Sequence, residues 1–104
     1  MNSQPTDHFV KATASATAYA VQTVSPLRFR SAAVLGVNAF AASGKPTANT
    51  GDVYLGVNRN RISIKVESGK FVVIEAPAGE TYDLRDFWFT ADTAADGLHF
   101  ILTP

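Results

Sequence analysis

Asp52-Val53-Tyr54-Leu55-Gly56-Val57, then Asn58-Arg59-Asn60-Arg61, then Ile62-Ser63-Ile64-Lys65-Val66-Glu67: this stretch reads as strand, turn, strand. Val53, Leu55 and Val57 fall on one side of the first segment. In the second, Ile62, Ile64 and Val66 alternate with Ser63, Lys65 and Glu67, the cleanest two-residue period in the chain. A period of two places one set of side chains on each face of a pleated strand, so this segment predicts a half-buried strand. The polar turn between them completes a hairpin.

The same grammar continues outward in both directions. Ser68-Gly69-Lys70 is a turn, Phe71 to Ala76 is apolar on both faces apart from Glu75, and Pro77-Ala78-Gly79-Glu80 ends that strand. Tyr82-Asp83-Leu84 is a brief extended link, Phe87-Trp88-Phe89 a strand core, Asp92 to Gly97 a turn and Leu98 to Leu102 the closing strand. Toward the N-terminus, 41–51 reads as a loop because Ser43-Gly44-Lys45-Pro46 and Asn49-Thr50-Gly51 favour turn geometry. Residues 27–38 read as one long strand or two meeting at a bulge near Gly36, and 17–24 as the first strand. Residues 1–16 are small, polar and aperiodic, which predicts a flexible N-terminal arm ahead of a domain at 17–104.

No stretch after position 17 keeps helical apolar spacing over ten residues. Seven or eight strands at intervals of about ten residues, separated by Gly and Pro turns, predict an all-β, antiparallel β-sandwich. An immunoglobulin-like sandwich, a small jelly roll and a small barrel all fit that strand count.

Composition narrows the function. The 104 residues carry nine Lys+Arg and nine Asp+Glu, so no net charge attracts nucleic acid or an acidic membrane, and neither is expected as a partner. The absence of cysteine removes disulfides, zinc thiolates, iron–sulfur clusters and thiol nucleophiles. The first seven residues have neither the positive nor the apolar segment of a secretion signal, and no apolar run approaches the ~20 residues of a membrane helix. Only 17% of residues are charged, against about 25% in ordinary soluble domains. Weak charge repulsion favours self-association, so a protomer covered by other chains is expected.

Candidate chemical sites reduce to structural roles. His8 and His99 stand apart in the sequence, and a single histidine without a histidine or acidic neighbour makes neither a general base nor a metal site. Asp83, Asp86, Asp92 and Asp96 lack the alternating ligand spacing of a calcium loop, and Asp96-Gly97 suits a hairpin turn. Glu80 is placed to bond backbone N–H groups in the 77–83 link. Neither Gly-x-Ser-x-Gly nor a phosphate-binding Gly-Lys-Ser/Thr loop occurs; Ser43-Gly44-Lys45 runs into Pro46, which opposes a helix there. No cofactor, metal or catalytic residue is expected.

Two features point to partners. Arg59 and Arg61, with Arg28, Arg30 and Lys65, can form a charge-pairing contact to another subunit if their strands neighbour. Phe87 and Phe89 face one way and Trp88 the other, and Phe71 and Val73 oppose Val72 and Ile74. A sandwich strand normally has one wet face. Apolar residues on both faces therefore mark Phe71, Val73, Phe87, Trp88 and Phe89 as candidates for an oligomer or partner interface. An alternative use of the same aromatics is a glycan- or receptor-binding module, with Trp88 or Tyr54 stacking on a sugar and loop 41–51 shaping specificity.

The runs Asn49-Thr50-Gly51-Asp52-Val53-Tyr54-Leu55-Gly56, Ala76-Pro77-Ala78-Gly79-Glu80-Thr81-Tyr82-Asp83-Leu84, Phe87-Trp88-Phe89 and Asp96-Gly97-Leu98-His99-Phe100 resemble small all-β proteins encoded among the structural genes of tailed bacteriophages. The likeness covers about 49–102 and consists of turn and strand signatures; Ala78 stands where that group often has proline. It implies a non-enzymatic virion component, a capsid decoration, cement or head-fibre-like subunit. Such a subunit would bind other virion proteins and form an oligomer, a trimer by analogy with virion symmetry.

Overall fold

The structure, a computed structural model, describes residues 5–104. Among the described residues twelve strands follow one another: β1 Thr6–Lys11, β2 Tyr19–Ala20, β3 Arg28–Phe29, β4 Ser31–Leu35, β5 Val37–Phe40, β6 Pro46–Ala48, β7 Val53–Gly56, β8 Ile64–Val66, β9 Phe71–Glu75, β10 Tyr82–Asp83, β11 Trp88–Ala91 and β12 Gly97–Thr103. A short 3-10 turn, Leu84–Asp86, separates β10 from β11.

The pairing is nested. β1 pairs with β12, β2 with β11, β3 with β10, β4 with β9 and β7 with β8, every pair antiparallel. The chain is thus a long two-stranded ribbon rolled up on itself, with the β5–β6 hairpin inserted between β4 and β7. Rolling yields two four-stranded sheets, β1-β12-β4-β9 and β2-β11-β7-β8. Of the arrangements compatible with the strand count, this strand order is that of the jelly roll.

Alternation explains the core. Leu98, Phe100 and Leu102 of β12 point inward with Ala32 and Val34 of β4, and they meet Val53 and Leu55 of β7, Val66 of β8 and Phe89 and Ala91 of β11. Phe29, Leu84 and Phe87 close one end under the β3–β10 pair. Phe29 and Phe87 have ring centroids 5.9 Å apart, and Tyr82 lies edge-on to both.

Several expectations change. Residues 1–16 do not form an arm throughout: Thr6–Lys11 is an edge strand registered on β12, from Thr6↔Leu102 to Lys11↔Gly97. Met1 to Gln4 lie outside the described residues. The strand's own pattern is weak, because inward Thr6 and His8 are polar. His8 satisfies its ring through a 2.9 Å contact between Nε2 and the Val21 carbonyl, and Ala12 is buried with its N–H donated to Asp96 O at 2.9 Å. Gly97 permits the close approach, since a Cβ there would clash with the Val10 carbonyl oxygen.

The 27–38 strand breaks at Arg30 and at Gly36, where a Cβ would meet the Glu67 carbonyl at 2.6 Å. The 41–51 loop contains β6, and of 17–24 only Tyr19–Ala20 is strand, continued by a bond from Val21 N–H to the Phe87 carbonyl at 3.0 Å. Val57 is 69% exposed because β7 ends at Gly56, and Ile64 is half-exposed because β8 lies at a sheet edge.

Candidate functional site: the outer face of the first sheet

Register decides which side chains stand together on the solvent side of β1-β12-β4-β9. One row runs Phe9, His99, Leu35, Phe71 across the four strands. The next runs Asp7, Ile101, Ala33, Val73, and a third Thr103, Ser31, Glu75. Phe40, carried over the sheet by the β5–β6 hairpin, packs edge-on against Phe9 and His99 with centroids 5.2 and 4.9 Å away. The result is a mostly apolar face in which Phe71 is 64% exposed, Val73 55%, and Ile101 and Phe40 40% each.

Two of the polar groups here engage each other. His99 Nε2 and Asp7 Oδ2 are 2.9 Å apart, the ring N–H donating to the carboxylate. His99 thus has an acidic partner that sequence distance concealed, because β1 and β12 meet only by chain closure. Among the described residues no group of three or more His, Cys, Asp or Glu is arranged to hold a metal ion.

The other candidates divide. Phe87 and Phe89, expected at an interface, belong instead to this chain's own core, at 3% and 2% exposure. Phe89 lies on the inward face of β11, and Phe87, just before that strand, packs with Phe29 and Leu84 at the β3–β10 end of the core. Tyr19 packs against Phe89 at 5.6 Å. Trp88 lies on the outer face, between Ala20 and Gly56, half-buried, with the Arg59 guanidinium 5.7 Å from its ring centre. That is cation–π distance.

The basic residues are engaged separately. Arg61 bridges back to Asn58 within its turn, while Arg30 Nε donates to the Pro104 carbonyl at 2.8 Å, next to β12. Lys65 sits 3.4 Å from Asp52, and that hydrogen-bonded carboxylate raises the lysine pKa.

Two carboxylates, Asp96 of the 92–97 turn and Asp83 of the 82–84 link, hold the frame of the roll. Asp96, 1% exposed, accepts from the N–H of Thr50 at 2.9 Å, the N–H of Gly51 at 2.7 Å and Asn38 Nδ2 at 3.1 Å. Asn49 beside it bonds Gly97 twice, accepting its N–H at 3.0 Å and donating to its carbonyl at 2.8 Å. Asp83, not Glu80, bonds the backbone at the other end, accepting from Leu27 N–H and Arg85 N–H and pairing with the Arg85 guanidinium at 3.0 Å. Burial pushes the Asp83 carboxyl up, but these hydrogen bonds and the arginine charge outweigh it and hold the pKa below the ordinary value. Comparison with protein-family models, curated proteins and solved structures finds no match for this chain.

Proposed function

We propose that this chain is a non-enzymatic structural subunit of a bacteriophage particle, a capsid decoration, cement or head-fibre-like protein. It binds other virion subunits through the outer face of β1-β12-β4-β9. The observation that carries the reading is that face itself, with Phe71, Val73, Ile101 and Phe40 exposed together. At roughly 200 Å² per phenylalanine, Phe71 and Phe40 alone leave on the order of 200 Å² of aromatic surface in water. Val73 and Ile101 extend it to the few hundred Å² that mark an interaction patch rather than scattered surface hydrophobics. The jelly roll serves viral coat proteins and lectins alike, which makes it compatible with this role without specifying it. The resemblance of the turn and strand signatures at 49–102 to those of phage structural proteins supplies the virion part of the proposal.

Mass spectrometry of gradient-purified phage particles whose genome encodes the chain tests this. The chain should be present in amounts comparable with the other coat proteins, and recombinant wild type should rebind stripped particles while Ile101→Lys should not. Particles without the chain would sink the reading.

A glycan- or receptor-binding module is the second reading, favoured by the half-exposed Trp88 on the opposite sheet. A sugar stacking there has to displace Arg59 from the ring. If a glycan array shows binding that a folded Trp88→Ala variant loses, the second reading replaces the first.

A further inference from the structure

The two sheets have four edges, and three are protected against further pairing. β2 is two residues long, β8 is three with Lys65 at its centre, and β1 follows Pro5 and carries Asp7 and Lys11. Short strands, charges and prolines are how natural proteins blunt an open edge. The fourth edge, β9, has none of these within Phe71-Val72-Val73-Ile74; its charges and proline, Lys70, Glu75 and Pro77, stand at its two ends. It is five residues of unbroken strand with Phe71 and Val73 largely exposed.

The hydrogen bonds to β4 show which backbone groups this edge presents. Gly36 N–H donates to Lys70 O at 2.9 Å and Ala76 N–H to Arg30 O at 2.7 Å. Antiparallel ladders alternate, so Val72 and Ile74 also turn their backbone toward β4. Phe71, Val73 and Glu75 therefore aim N–H and C=O outward, away from the molecule.

We propose that β9 is a self-association edge: a second copy of this chain adds its own β9 antiparallel to it about a two-fold axis, joining two four-stranded sheets into one of eight strands. With Val72 on the axis, Phe71 falls opposite the partner's Val73 as a hydrogen-bonded pair, and symmetry repeats the pair. Both contacts unite an aromatic with a β-branched residue, a favourable cross-strand combination. Charge selects the direction. Antiparallel pairing brings Lys70 of each copy to the end of the other's strand, where Glu75 and Glu80 line a pocket of about 390 Å³ with Arg30 and Pro77. Parallel pairing in register would set Lys70 beside Lys70.

A five-residue edge lies below the ~1,200 Å² of total buried surface typical of stable complexes, so the pair is of the weak, concentration-dependent class. The two-fold contact differs from the trimer that virion analogy suggests. It rests on the sheet edge and not on the virion reading. Its effect on that reading would be to align two outer faces into one apolar platform with Phe71 and Val73 at the centre.

Sedimentation equilibrium from low micromolar to near-millimolar protein, with amide exchange at both ends of the range, tests it. Wild type should move from the 11.1 kDa chain mass toward twice that, and the Phe71 and Val73 amides should slow as it does. Val73→Pro removes an outward N–H and leaves the β4 ladder intact, a substitution edge strands tolerate, and it should weaken the dimer at least tenfold. Val73→Lys, which keeps the backbone, serves if the proline variant does not fold and should act likewise. Ile101→Lys, two strands in from the edge, should leave dimerisation unchanged while abolishing particle binding, which separates this proposal from the docking role. A monomer at all concentrations, a trimer mass, or a dimer indifferent to both Val73 variants would overturn it.

Discussion

The Asp96 carboxylate accepts the Gly51 backbone N–H at 2.7 Å across 45 positions of sequence. The same carboxylate takes Thr50 N–H and Asn38 Nδ2, so one buried side chain joins the β11–β12 turn to the segment entering β7 and to β5. Among the described residues no buried side-chain N or O lacks a hydrogen-bond partner. Substitution at Asp96 would end that. Asp96→Ala leaves three donors without their acceptor, and hydrogen bonds to a charged group contribute about 1.5–3 kcal/mol each, not additively. Urea unfolding should show a loss of roughly 3 kcal/mol, with Asp96→Asn intermediate; a loss under about 1 kcal/mol would show that water replaces the carboxylate.

Asp83 predicts the acid limb of stability. Its folded pKa lies below the ordinary 3.8. The unfolded chain therefore binds this proton more readily, and the stabilisation is complete above the unfolded value and is lost as pH falls through the folded one. Asp83→Asn should be less stable than wild type at neutral pH. The two stability curves should converge below about pH 4, where wild type gives up its advantage. Thermal unfolding across pH 2–7 checks this, and parallel curves would contradict it.

Ala95 adopts φ 73°, in the left-handed region, within the turn that presents Asp96. An L side chain there costs about 1–2 kcal/mol, of which glycine recovers part after its own greater unfolded-state entropy. Ala95→Gly should therefore stabilise by about 0.5 kcal/mol, and Ala95→Val should destabilise by more than that. Equal melting temperatures for all three proteins would refute the strain.

Core and face aromatics should separate cleanly. Phe89→Ala removes a fully buried ring and should cost about 3–5 kcal/mol. Phe71→Ala, whose ring is mostly in water, should change stability by less than about 0.5 kcal/mol while weakening self-association. A large stability loss for Phe71→Ala would mean that its ring supports the fold rather than a contact.

How much of this was legible beforehand follows from the range of each interaction. Alternation within β12 sets Leu98, Phe100 and Leu102 on one face and His99 and Ile101 on the other, and the structure buries the first set. The turns at Ser68-Gly69 and Pro77 to Glu80 were likewise readable from local preferences, as were the strands read at 52–57, 71–76 and 87–89, which the structure sets at 53–56, 71–75 and 88–91. His99 gave no sign of Asp7, and Asp96 none of Thr50 and Gly51, because those partners lie many residues away and meet only when the ribbon rolls. Phe87 and Phe71 look alike in sequence, each in an apolar strand with two greasy faces.

By itself the sequence determined the class of the protein, all-β and antiparallel, and which residues of a given strand share a face, since a two-residue period is a property of the extended backbone alone. Only the tertiary structure decided which face is covered and by what. Burial depends on which face of a strand meets the other sheet: Phe89 of β11 and Phe87 just before it point into the roll, while Phe71 and Val73 stand on the outer face of the edge strand β9, in water. The nested pairing that makes a jelly roll of these strands is likewise a sum of long-range contacts, and no local window of the chain contains it.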